Sequence, residues 1–437
     1  MRIAIIGGGA AGITTAYLLQ KNHHVTLFEK EKILGGHVRT LNKNVSTHAL
    51  ERELVLDAGV LEFQKDRFTY FHKLMAELGV KLEPCSMSSE LFISPEKCFK
   101  SGGGIIYGDQ SLREQVRDFL KICPLLKNYF SFLLQAHIVS MEELQNQPVS
   151  RFLKSDPVSI WFKMLLMYAY SMPLDKIENF PAEIAIPLLA QSHFLTQWDR
   201  IPEGVYTYFE KILERFDGTI YYDTPIQSVY RNPYGVSLTL NSGDRLWFDK
   251  VVFAVSPHQV LPLLANPLEE EIRRFGAWQK NLMETVVHTD VSFYKNLGVS
   301  YFGEFDVFKT EGKPQGGYNA YLNRLYKIDP KKYGHYSLAF QLKHLIDPQK
   351  IIHRQHHETP LYTVDALRYR DEIIACNGEY HTFHAGAYLG EGLHEGAIKS
   401  AYIVAQLLEE KNLEAVRVKE QPLLNPISTN LGPELIF

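Results

Sequence analysis

Ile3-Ala4-Ile5-Ile6-Gly7-Gly8-Gly9-Ala10-Ala11-Gly12 is the stretch on which the fold turns. Four apolar residues without alternation read as a strand covered on both faces, as in a parallel sheet. Directly after them, Gly7, Gly9 and Gly12 fall on a G-x-G-x-x-G spacing. That spacing permits a tight turn, close backbone approach to a pyrophosphate and close packing of helix on strand. Ala10 and Ala11 open a helix that Ala16, Leu18 and Leu19 continue, and its amino terminus aims free N–H groups and partial positive charge at the phosphates. His24-Val25-Thr26-Leu27-Phe28 supplies a second strand ending at Glu29, placed to accept ribose hydroxyls. Strand, loop, helix, strand and acid in this order predict a Rossmann-type dinucleotide-binding unit.

Working outward, 437 residues exceed one ordinary core and predict two lobes. With 46 Lys+Arg against 50 Asp+Glu, the composition implies no polybasic surface for nucleic acid, so a small molecule is the expected partner. Cys85, Cys98, Cys123 and Cys376 have no C-x-x-C spacing, which argues against a metal cluster or disulfide framework and fits a reducing cytoplasm. His353, His356 and His357 lack a carboxylate frame and read as a solvated loop, so no metal is expected. The apolar run Val158 to Tyr170 contains Lys163 and is too short to span a bilayer. It reads as a buried or groove-lining helix; peripheral membrane contact is left open, as is the oligomeric state.

The next segments separate NAD from FAD. Glu29-Lys30 precedes Leu34-Gly35-Gly36-His37-Val38-Arg39-Thr40, and Leu56-Asp57-Ala58-Gly59-Val60-Leu61 follows. This resembles the flavin-containing amine oxidase and phytoene desaturase superfamily, in which a Gly-Gly-Arg segment and an Asp-x-Gly segment line the pyrophosphate and isoalloxazine. His37 stands where that superfamily has arginine, which leaves Arg39 to face the phosphates. The resemblance continues at Thr224 to Val229, where the residue matching Ile226 holds the adenine through its backbone. It continues again at Phe383 to Ala387, including Gly386 and Ala387, and at Gly392 to Ile398, where His394, Glu395 and Ala397 start a helix beneath the flavin. Gly36-His37, His288-Thr289-Asp290, Asn323-Arg324-Leu325 and Leu393-His394-Glu395 are similar to a bacterial branch of predicted NAD/FAD-binding proteins within the superfamily. The resemblance implies non-covalent FAD.

If all these segments touch one cofactor, its lobe is discontinuous: 1–75, 203–262 and 370–412. A substrate lobe of mixed sheet and helices then comes from 76–202 and 263–369, with 413–437 as a surface tail. Helical patterns dominate the first insertion; Thr285 to Tyr294 and Tyr336 to Leu342 read as strands in the second. His288 and Asp290 would share a strand face, making His288 a candidate acid or base, and Tyr388 a candidate wall of the pocket. The superfamily's amine oxidases place an aromatic residue at Leu393 and a lysine near Thr289, and both are missing. The leading expectation is therefore hydride removal, desaturation or isomerisation on a hydrophobic, fatty-acyl or lipid-like molecule. An amine or amino-acid oxidase and a flavin-bound, non-catalytic partner subunit are the alternatives.

Overall fold

A computed structural model describes residues 1–93, 98–101, 105, 111–191, 196–296, 302–309 and 316–420. Five strands, β1 (Arg2–Ile6), β2 (His24–Phe28), β3 (Thr219–Tyr221), β4 (Lys250–Phe253) and β5 (Thr382–His384), form an all-parallel sheet in the order β3-β2-β1-β4-β5. The strand read at Ile3–Ile6 lies at its centre. Ile3 and Ile5 enter one apolar cluster, Ala4 and Ile6 another, so both faces of β1 are buried and alternation is not needed. Helices α1 (Ala10–Leu19) and α5 (His394–Glu420) lie on the Ile3 face, sharing its cluster through Ala16, Leu19, Ile398 and Val404. Between them in sequence come α2 (Thr69–Leu78), α3 (Leu112–Ile138) and α4 (Pro157–Tyr170).

The second sheet has seven strands, in the order Ile351–Leu361, Gln279–His288, Ser337–Phe340, Gly316–Tyr321, Phe305–Lys309, Glu90–Phe92 and Cys98–Lys100. It is mixed, because the Phe305–Lys309 and Glu90–Phe92 strands run parallel while its other pairs are antiparallel. The fold is thus a Rossmann-type unit interleaved with a mixed sheet and its helices, as the sequence predicts.

Three local expectations change. The strand expected over Thr285 to Tyr294 stops at His288, and Ser292–Asn296 is helical. His353, His356 and His357 stand on the strand Ile351–Leu361, paired along its length with Gln279–His288, rather than in a solvated loop. The tail expected from residue 413 begins as a continuation of α5 to Glu420, and residues 421–437 lie outside those described. Among the described residues no helix is long and apolar enough to cross a membrane.

Candidate functional site

The geometry begins with glycines that nothing else could replace. Gly7 has φ +105°, and a Cβ there would come within 2.5 Å of the Ala254 carbonyl oxygen. A Cβ on Gly12 would fall 1.8 Å from the Gly7 carbonyl oxygen, so α1 approaches the loop that precedes it as closely as backbone allows. Gly9 caps α1 without any side-chain hydrogen bond, and no acid stands in the first turn. The amino-terminal N–H groups of α1 and its positive dipole end are therefore left for an anion. Gly35 and Gly36, at φ +132° and +58°, close on this loop: the Gly35 N–H donates to the Gly8 carbonyl at 2.9 Å. A Cβ on Gly9 would meet only Gly36 Cα, at 3.7 Å, leaving a cradle beside both loops.

Glu29 is fixed at the end of β2, its carboxylate accepting the N–H groups of Gly8 (2.7 Å) and Glu31 (2.9 Å). Two bonds leave lone pairs on both oxygens. Its carbonyl accepts the Thr224 N–H at 2.9 Å, which draws the strand carrying Ile226 to the same edge. That strand is bulged between Ile226 and Ser228. Arg39 lies nearby, half buried, with Glu29 and Glu31 opposing the effect of burial on its guanidinium. Lys30 points to solvent.

Beyond the loops, His37, Gly59, Val60 and His394 keep accessible surface along a cleft. His37 keeps an exposed side chain there. Its Nε2 lies 3.0 Å from the Glu358 carbonyl, and its ring meets His357 edge-on at 5.8 Å. His357 Nε2 is 3.1 Å from the Ala58 carbonyl. At the far end His394 opens α5, its Nε2 3.1 Å from the Tyr208 hydroxyl and its ring edge-on to Phe63 at 5.4 Å. Burial lowers the pKa of all three histidines, and the neighbouring His37 lowers His357 and His394 further, each to about 3. They are uncharged at neutral pH, so His37 brings no positive charge and Arg39 is the cation at this end. The turn at Gly386 and Ala387 packs against the first turn of α5: a Cβ on Gly396 would lie 2.9 Å from the Ala387 carbonyl oxygen. The Gly386 N–H donates to Ser400 Oγ at 2.8 Å, and Ala397 is buried beneath.

Several candidate residues have other duties. Glu395 turns its carboxylate to α2, accepting the Tyr70 and Phe71 N–H groups at 2.8 Å each, and so caps a helix whose own N-cap, Phe68, supplies nothing. Thr40 is fully buried and donates to Asp57, whose carboxylate also accepts the Tyr326 hydroxyl and the Val205 N–H at 3.1 Å. Burial raises the Asp57 carboxyl to about 6 against these hydrogen bonds. Gly59 and Val60 remain accessible between His37 and Phe63, whereas Leu61 is buried in an apolar cluster. His288 is fully buried at the end of its strand, bonded to Asn319 at 2.8 Å and to the Asp290 N–H at 3.2 Å. Asp290, past the strand end, accepts from Ser292, Asp347 and Lys350 instead of sharing a face with His288. Tyr388 sits in the core against Trp278 at 5.7 Å, 2% exposed. Neither His288 nor Tyr388 faces the accessible cleft.

Glu62 was not singled out by its sequence. It lies between Gly59 and Phe63 and accepts a hydrogen bond from the Tyr168 hydroxyl; its other oxygen has no partner among the described residues. Tyr168 packs on Phe305 at 4.5 Å and edge-on to Tyr318 at 4.8 Å, forming an aromatic cluster. Burial raises the Glu62 carboxyl to about 7, and the Tyr168 hydrogen bond offsets only part of this.

Glycine loops, carboxylate and parallel sheet together define a dinucleotide-binding fold. The family described as NAD(P)-binding Rossmann-like domain matches residues 5–78. No curated protein matches the sequence. Among solved structures, a putrescine oxidase double mutant is 14% identical, covering 94% of this chain and 99% of its own at TM-score 0.65. Cyclohexylamine oxidase from Brevibacterium oxydans IH-35A is 14% identical over 93% and 99%, at 0.67. A CLA-producing fatty acid isomerase from P. acnes is 15% identical over 94% and 98%, at 0.64. The likeness to these solved structures is one of fold, and it extends over nearly the whole chain.

Proposed function

We propose that this protein is an oxidoreductase holding FAD non-covalently and acting on a mainly apolar small molecule. The observation that carries this reading is that an uncapped helix amino terminus, a pinned carboxylate and a second helix start are packed into one region of the fold. On this reading the cofactor lobe is assembled from 1–75, 203–262 and 370–412, the substrate lobe from 76–202 and 263–369. The α1 N–H groups, Gly9, Gly35, Gly36 and Arg39 hold the pyrophosphate, Glu29 the ribose, and the backbone at Ile226 the adenine. When bound, FAD supplies a hydride acceptor. The amino terminus of α5 at His394 stabilises negative charge on the ring, while the uncharged His37, His357 and His394 add no positive charge of their own. The cluster of Tyr168, Phe305 and Tyr318 walls an aromatic substrate chamber that excludes water and positions an apolar substrate, with Glu62 able to give or take a proton near neutral pH.

The test is the absorbance of the purified protein before and after heat precipitation, followed by anaerobic addition of substrates. Yellow supernatant is expected; a yellow pellet would point to a covalent link, and colourless protein after reconstitution with FAD would sink the reading. A specific observation favours a second one: no cation among the described residues pairs with Glu62, so an amine could supply its counter-charge. Bleaching by amines but not by neutral apolar compounds would select the amine oxidase; a flavin inert to every substrate would select the non-catalytic subunit.

A further inference from the structure

We propose that the outward face of α3 docks this protein on an anionic phospholipid surface. Leu112, Val116, Leu120, Phe130, Leu134 and Ile138 are between 52% and 76% exposed. Their spacing of four and ten residues returns them to one side of the helix. Phe132, on the opposite side, is buried and packs on Phe162 of α4 at 4.5 Å. The element is well anchored: Ser111 and Glu114 form a capping box at its start, and Asp118 turns inward to Lys100 at 3.4 Å. The apolar stripe is therefore a built surface left facing water.

Two features select its occupant. The first is charge. Arg113 and Lys127 are exposed beside and within the stripe, whereas Arg117 and Lys121 turn to the buried Asp118 at 3.2 and 3.6 Å; the single exposed acid in the helix is Glu114. An apolar stripe bordered by cations is the pattern of helices that lie in the interface of anionic membranes. Two copies meeting through this face would bring these cations together. The second is area. A helix of 27 residues is about 40 Å long, and a stripe about 10 Å wide covers about 400 Å². Two such stripes would bury about 800 Å², less than the roughly 1,200 Å² at which specific dimers begin, whereas lipid can cover the whole stripe without a matching partner. Docked in this way, the protein presents the layer of α3 and α4 to the bilayer, and α4 carries Tyr168 of the aromatic cluster. Substrate dissolved in the bilayer would then lie near the chamber wall.

The experiment is flotation of the full chain with vesicles of phosphatidylcholine mixed with phosphatidylserine, and with vesicles of phosphatidylcholine alone. Binding is expected to the mixed vesicles and to weaken in high salt. The variant L120Q/F130Q/L134Q, altered only at exposed positions, should lose at least about tenfold in bound fraction while keeping its melting temperature. R113Q/K127Q should weaken binding to the mixed vesicles several-fold while keeping the melting temperature. Failure to float with either vesicle overturns the proposal. So does a dimer in solution that L120Q/F130Q/L134Q dissociates, because the face would then belong to a second copy.

Discussion

Glu29 and Glu62 are both acids close to the cleft, and their surroundings give them opposite behaviour. Glu29 is held by two backbone N–H groups, whereas Glu62 has one hydrogen-bonded oxygen and one without a partner among the described residues. Replacing Glu29 with glutamine keeps its shape but would remove the charge-assisted bond proposed to the ribose, worth about 1.5–3 kcal/mol. Glu29→Gln should therefore raise the FAD dissociation constant about tenfold or more, measured by quenching of flavin fluorescence. Glu62 has a folded pKa of about 7 against an ordinary 4.5, so the native state holds a proton that the unfolded chain releases. Stability must then fall as pH rises from about 4.5 to about 7 and level off above. Glu62→Gln keeps an acceptor for Tyr168 and removes the penalty for ionisation. Denaturant unfolding at pH 5 and pH 8 should show this variant more stable than the parent at pH 8, with a smaller loss between the two. Equal pH dependence in both proteins would mean that Glu62 is better solvated than its surroundings indicate.

At the scale of elements, the start of α5 separates two roles that share a few residues. The helix opens towards the cleft through His394, while the next side chain, Glu395, reaches back to cap α2. Glu395→Ala should cost about 1–2 kcal/mol, the range of a lost helix cap, and lower the melting temperature. FAD affinity should stay within about twofold, because on this geometry the side chain does not face the cofactor. A large drop in affinity at unchanged stability would return Glu395 to the cofactor. The same segment shows what a motif can reveal. The glycine-rich approach to α5 is visible in sequence because Gly392 at φ +81° and the Ala387–Gly396 contact both exclude side chains. The cap on α2 is invisible, since it joins residues more than three hundred positions apart.

At the scale of the molecule, strands from three distant segments share the parallel sheet, so a ligand in the cleft touches chain that only tertiary structure brings together. FAD at a hundred times its dissociation constant should stabilise the folded protein by about 2.7 kcal/mol over the apoprotein, seen as a higher melting temperature. Absence of any shift would show that the cofactor does not bind the native fold.

The sequence by itself determined the Rossmann unit, because its demands are local: Gly7 and Gly12 admit no Cβ, β1 must be apolar on both faces, and Glu29 follows β2 directly. It also foretold a helical first insertion and a stranded second one from their periodicities. Tertiary structure alone decided which titratable groups reach the cleft. His357 arrives on a strand whose partner is Gln279–His288, Glu62 interrupts an apolar run with no local sign of Tyr168, and His288 is withdrawn because its strand ends there. Backbone conformation is written into neighbouring residues, whereas the environment that sets a carboxyl or imidazole is assembled from chain far away.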